Sequence, residues 1–211
     1  LERVEISAEI IAYAKDQLKL KLNQSIYVTL TDHINFAIER VSQGIEPENA
    51  LLWEIKRFYS HEFQLGTYAL QLIYERLGIK LPEDEAGFIA LHFVNAEYGT
   101  DIHDALKFPN QMNDIVRIVE QELGLELDEG SLHYERFVTH VKFLLQRIYR
   151  KELLSSEDKE LAQMMQRKYP EEYNCSEKVA AYIKEATGCT LSDEEVMYLS
   201  VHIRRVTAVE K

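Results

Sequence analysis

A twelve-residue pattern ending on a histidine occurs twice in this chain. Leu81-Pro-Glu-Asp-Glu-Ala-Gly-Phe-Ile-Ala-Leu-His92 returns as Leu191-Ser-Asp-Glu-Glu-Val-Met-Tyr-Leu-Ser-Val-His202. The interval is 202 − 92 = 110, and it also carries Gly78 onto Gly188, Glu85 onto Glu195 and Phe88 onto Tyr198. A second histidine pair repeats at 140 − 33 = 107, where Leu30, His33, Ile34, Ala37, Ile38 and Val41 fall on Phe137, His140, Val141, Leu144, Leu145 and Ile148. The second half therefore carries three extra residues, most simply in the loop around Arg150 to Ser156, where an insertion costs least. A chain of 211 residues with such a repeat divides into two similar domains of about 100 residues. We place them at residues 1–103 and 104–211.

Each half reads as five helices. In the first, Ile6, Ile10, Ile11, Ala14 and Leu18 recur at helical spacing between Val4 and Leu20, and a second apolar stripe runs from Ile26 to Val41 and stops before Gly44. Pro47 suits the first position of a third helix that reaches Phe58. A fourth spans Leu65 to Leu77 and ends at Gly78, and a fifth starts at Pro82 with three acids in its first turn, where the helix dipole favours negative charge. The stretch from Glu97 to Asn113 collects helix breakers, and its first part reads as the inter-domain linker. The second half follows with Ile115 to Leu123, Ser131 to Arg150, Ser156 to Lys168, Ser176 to Thr187 and Ser192 to Val206. Ser192 with Glu195 three positions on forms a capping box. The expected fold is all-α, two homologous five-helix bundles in tandem.

Charge narrows the function. Hydrophobic residues at 46% and only 8 Gly and 4 Pro describe a core-forming chain, but a formal charge of −12 argues against this segment gripping nucleic acid, which needs Lys and Arg against phosphates. No run of about 18 apolar residues would span a membrane and no signal-peptide pattern opens the chain, so a cytoplasmic location without membrane insertion is expected. Starting at Leu1 without a Met, it reads as a fragment of something longer. Cys175 and Cys189 align with Leu65 and Ile79 at the 110 interval and are read as fillers of apolar slots.

Of the seven histidines, His33, His92, His140 and His202 obey the repeat, whereas His61, His103 and His133 do not. A helical histidine beside an apolar stripe is ordinarily half-buried with one hydrogen bond, but surface residues that merely survive a duplication are free to drift apart. A metal site has little support. His133 and His140 are seven residues apart, about 10 Å along a helix, and no His-x-x-x-His or Glu-x-x-His occurs. Glu85 and Glu195 each precede a histidine by the same seven residues and are read as dipole partners rather than catalytic ones. No phosphate loop, nucleophile elbow or Cys/His dyad points to an enzyme. A neutral imidazole could instead accept a phosphoryl group from another protein and switch an interface.

Leu30-Thr-Asp-His-Ile-Asn-Phe-Ala-Ile-Glu-Arg40, Leu81 to Glu97, Phe137-Val-Thr-His-Val-Lys-Phe143 and Val201-His-Ile203 closely resemble the tandem PTS-regulation domains (PRDs) of the BglG/SacY/LicT family of transcriptional antiterminators. The resemblance covers essentially the whole chain. It implies two five-helix domains whose phosphorylatable pairs are His33 with His92 and His140 with His202. It further implies an inhibitory phosphoryl group on the first pair from the sugar-specific enzyme II permease, and an activating one on the second pair from the HPr phosphocarrier. The output is homodimerisation of a short N-terminal domain that binds an RNA antiterminator hairpin and is absent from this chain, which fits the missing Met. One departure is that Leu-Pro-Glu-Asp-Glu becomes Leu-Ser-Asp-Glu-Glu in the second copy, with the histidine kept in register. The expectation is a regulatory substrate of phosphotransfer, with no catalytic residues, metal or cofactor. The alternatives are the same domains in a DNA-binding activator, and a helical metal-dependent hydrolase using His92 and His202 as ligands.

Overall fold

In a computed structural model the described residues are 2–19, 21–155 and 159–208, and they are helical throughout, with no strand among them. The chain separates into two compact units, Leu1–Asn110 and Gln111–Lys211. The expected boundary between residues 103 and 104 would cut the short helix α6, Ile102–Ala105. Asp101 caps this helix by accepting from the Asp104 amide at 3.0 Å, and Ala105 beyond it is fully buried.

The first unit contains α1 (Glu2–Leu18), α2 (Ile26–Ser42), α3 (Leu52–Phe58), α4 (Ser60–Leu77), α5 (Glu83–Tyr98) and α6. Its core is the meeting of four apolar stripes: Ile6, Ile10 and Ile11 of α1, Leu30, Ile34 and Ile38 of α2, Leu65, Ala69 and Ile73 of α4, and Ile89 and Phe93 of α5. Helices α4 and α5 touch backbone to backbone. A Cβ on Gly66 would lie 2.1 Å from the Ala86 carbonyl oxygen, so only glycine fits that crossing.

The second unit is built from α7 (Phe108–Leu123, entering from the end of the first), α8 (Leu132–Arg150), α9 (Glu160–Lys168), α10 (Pro170–Thr187) and α11 (Asp193–Thr207). Phe137, Val141, Leu144 and Ile148 bury the stripe of α8, and Leu199, Ile203 and Val206 bury that of α11. Helix α7 is tied to α8 by the Gln111 amide donating to Tyr149 at 2.8 Å, and to α10 by Tyr182 donating to Asp114 at 2.8 Å. Where Gly66 meets Ala86 in the first unit, the equivalents Ser176 and Val196 meet here, and the buried Ser176 hydroxyl donates to the Val196 carbonyl at 2.6 Å.

Several helix starts differ from the sequence reading. Residues 47–51 precede α3 instead of opening it, because Asn49 is held by other partners. Its amide donates to Asp84 at 2.7 Å and its side chain accepts from the Leu51 amide at 3.0 Å, a local turn that competes with helix. Helices α4 and α10 begin earlier than expected, at Ser60 and Pro170, each after a single non-helical tyrosine, Tyr59 or Tyr169. Helix α7 likewise begins at Phe108, before the expected Ile115. Its Pro109 lies in the first turn, where the missing N–H has no intrahelical partner to lose. The stretch from Glu97 to Asn113, whose first part reads as linker in the sequence, thus holds α6 and the start of α7. The expected start of α9 at Ser156, and the end of α1 at Leu20, lie outside the described residues.

Candidate functional site

In each unit the second and fifth helices bring two histidines together. His33 on α2 and His92 on α5 have ring centroids 4.8 Å apart, tilted by 48°. His140 on α8 and His202 on α11 are 4.1 Å apart and stacked at 23°. The apolar stripes fix this, since Leu30, Ile34, Ile89 and Phe93 bury the helix faces that flank the first pair. His61, His103 and His133 join neither pair; His133 keeps a buried Nδ1 with no hydrogen-bond partner.

Behind each pair lies a carboxylate with no exposure. Glu85 of α5 places one oxygen 2.9 Å from His33 Nε2, and accepts from Arg40 on the other at 2.6 Å. Glu195 of α11 instead accepts both arms of Arg147, Nε and Nη2, each at 2.7 Å, and one oxygen also takes the Leu154 amide at 3.0 Å. The reading of these acids as first-turn dipole partners is thereby incomplete. They do occupy the first turn, but a buried carboxylate requires a paired cation, and each has one. The capping box of α11 is half formed: Ser192 accepts from the Glu195 amide at 3.2 Å, while the Glu195 carboxylate turns away to Arg147. Arg40 and Arg147 were missed in the sequence, although 147 − 40 = 107 repeats the interval of His33 and His140.

The loops explain the difference. Between α2 and α3, Asn49 leans on Gly87, where a Cβ would approach its Nδ2 to 2.6 Å, and the loop amide is received by Asp84. Gly87 becomes the buried Met197 in the second unit. There the loop between α8 and α9, of the same nine-residue length as that between α2 and α3, docks instead through Leu154, whose amide goes to Glu195 and whose carbonyl accepts from Ser192. Glu195 is thereby occupied on every side, and His140 has no carboxylate partner.

Burial pulls His92 down to about 3, reinforced by the neighbouring His33. His140 is pulled to about 3 by burial, then by His202 and by Arg147, and His202 is lowered by burial and Arg205. All three rings are therefore neutral at pH 7 and each carries a lone pair, the form a nucleophile or proton acceptor needs. The second pair opens on a shallow depression of about 410 Å³ lined by Glu135, Arg136, Thr139, His140, Phe143 and His202. Among the described residues no group of three or more His, Cys, Asp or Glu stands ready to hold a metal ion, and no helix is long and apolar enough to cross a membrane. Cys175, in the slot of Leu65, is buried and free, and Cys189 is a half-buried free thiol.

The PRD domain model matches residues 8–96 and 113–206. The transcription antiterminator LicT of Bacillus subtilis (strain 168) is 47% identical over 206 residues, 98% of this chain and 74% of that protein. The beta-glucoside operon antiterminator of Dickeya chrysanthemi is 45% identical over 98% of this chain and 73% of its own length. The GlcA/glcB genes antiterminator of Staphylococcus carnosus (strain TM300) is 30% identical over 98% and 71%.

Proposed function

The chain belongs to the PRD domain family as the regulatory region of a transcription antiterminator, and from that premise we propose that His33, His92, His140 and His202 are acceptors of phosphoryl groups. The observation that carries this is the juxtaposition of two histidines in each unit, at 4.8 and 4.1 Å, with the rings of His92, His140 and His202 neutral, in a setting that offers no metal-binding cluster among the described residues. A pair of imidazoles on a partly open face can receive phosphate from a docking protein without any catalytic machinery of its own. Arg136 at the rim of the second site and Arg205 beside His202 supply positive charge for the phosphoryl oxygens.

The donors in this reading are the HPr phosphocarrier for His140 and His202, and the sugar-specific enzyme II for His33 and His92. Each transfer adds a phosphoryl group, whose oxygens carry about −1.5 to −2 charge, to a chain already at −12, enough to repel or reorder a homodimer interface. An N-terminal RNA-binding domain, and a cytoplasmic setting, complete the proposal. Incubating the chain with enzyme I, HPr and phosphoenolpyruvate should label His140 or His202 in acid-labile form and change the molar mass in solution. Labelling that persists undiminished after both are replaced by Ala would refute the assignment.

A further inference from the structure

Imidazole has two nitrogens, and at three of the four histidines the surroundings distinguish them. His33 Nε2 faces the Glu85 carboxylate at 2.9 Å, and a carboxylate can only accept, so Nε2 carries a proton and the neutral form of the ring has its lone pair on Nδ1. His92 is the reverse case, since its Nδ1 is enclosed by protein with no hydrogen-bond partner. At His140 the enclosed, unpartnered nitrogen is Nε2. A nitrogen sealed from the surface cannot meet an incoming phosphorus atom, nor hold the three oxygens that come with it.

Resting on the phosphoacceptor reading above, we propose that the accepting atom is Nδ1 on His33 and on His140 but Nε2 on His92, with Glu85 as the positioning residue that fixes the choice at His33. His33 and His140 occupy equivalent positions and reach the same atom by different means, a hydrogen-bonded Nε2 in one and an enclosed Nε2 in the other. The donor approaches as a phosphohistidine protonated on its second ring nitrogen. The Nδ1 lone pair of His33 forms the new P–N bond while the donor's P–N bond breaks, and that electron pair returns to the donor ring, which leaves as neutral imidazole. His33 becomes an imidazolium with phosphorus on Nδ1 and its original proton on Nε2. Charge balances because the positive charge has moved from the donor ring to His33, beside the buried Glu85 carboxylate that stabilises it. Glu195 gives His140 no such help, being occupied by Arg147 and the Leu154 amide.

The test is heteronuclear NMR on the intact chain with 15N-labelled histidine, phosphorylated in parallel by phosphoramidate and by phosphoenolpyruvate with enzyme I, HPr and enzyme II. Coupling of 31P to Nδ1 in His33 and His140, and to Nε2 in His92, is expected. An Nε2-phosphate on His33 or His140 overturns the proposal. If phosphoramidate gives this pattern while the protein donors leave the chain unlabelled, the donor assignment fails and the atom assignment stands. If neither donor labels, the unmodified chain decides: a proton on Nε2 of His33 upholds the assignment, and one on Nδ1 ends it. Glu85→Gln should shorten the half-life of the His33 phosphate about tenfold, the low end for losing one charge-assisted bond. The His140 phosphate in the same sample should be unaffected. An unchanged His33 half-life would remove Glu85 from the role.

Discussion

Glu85 divides its two oxygens between His33 and Arg40, whereas Glu195, in the equivalent position, gives both to Arg147 and one of them also to the Leu154 amide. The enclosed ring changes sides along with the carboxylate. In the first unit His92 of the fifth helix is drawn down to about 3, and in the second His140 of the second helix is. The duplicated helices place two histidines, an acid and an arginine in each unit, and the loop that docks on the acid decides whether a histidine can share it. Two sites that descend from one pattern are thus chemically distinct: the first holds one histidine through a buried anion, and the second leaves its own to burial.

The largest expected effect breaks the comparison at its anions. Replacing Glu195 by Ala leaves Arg147 without a partner for either arm, and should cost about 3 kcal/mol, the low end for splitting a buried pair because Arg147 is 21% exposed. Glu85→Ala removes one bond to Arg40 and one to a ring, and should cost about 2 kcal/mol. Denaturant unfolding with hydrogen exchange read separately in α2 and α8 checks both. Equal losses would mean that the two carboxylates are equivalent after all.

The crossing of the fourth and fifth helices of each unit gives the next effect. Gly66→Ala forces a methyl against the Ala86 carbonyl, for which 2.1 Å leaves no room, and should destabilise the first unit by about 2 kcal/mol through overpacking. Ser176→Ala at the equivalent crossing loses only the hydroxyl's bond to Val196, about 1 kcal/mol. Thermal unfolding of the two variants ranks them, and the reverse order would refute the account of close packing in the first unit.

The four histidines were legible in the sequence because each is flanked by apolar residues that must face a core, and a helix stripe tolerates no change of register. Cys175 was legible for the same reason, as an occupant of the Leu65 slot. The buried Glu–Arg pairs were not, since an acid in a first turn is already explained by the helix dipole. Their partners lie 45 and 48 residues away. Only the shared interval of Arg40 and Arg147 carried a signal. The early start of α4 was hidden because the break before it is one tyrosine, Tyr59, with no glycine or proline beside it, whereas that of α10 was marked by Pro170 at its first position, a signal the sequence reading passed over.

Acid sharpens the contrast further. His92 and His140 stand at about 3 when folded against an ordinary 6.5, so the unfolded chain takes up their protons first. Their contribution is intact above about 6.5 and is lost as pH falls toward 3, with each ring costing at most about 1.4 kcal/mol per pH unit. His92→Asn should flatten the acid slope for the first unit alone, and His140→Asn for the second. A slope that His92→Asn leaves unchanged in α5 hydrogen exchange would show that this ring is not held neutral.

The smallest effect tests the loops themselves. Asn49→Ala removes the side-chain bond to the Leu51 amide, and Ser192→Ala removes both the cap on the Glu195 amide and the donation to the Leu154 carbonyl. Each should cost only about 1 kcal/mol. Their consequences at the histidines differ, because the first loop is received by Asp84 and the second by Glu195. Freeing the first loop leaves the Glu85–His33 bond in place, and the His33 15N resonances should stay where they are. Freeing the second releases one oxygen of Glu195 from the Leu154 amide, and the His140 resonances should move toward those of a ring with an anionic neighbour. Movement at His33 in Asn49→Ala, with none at His140 in Ser192→Ala, would mean that the loops do not set the two sites apart, and that the cause lies in the helix faces.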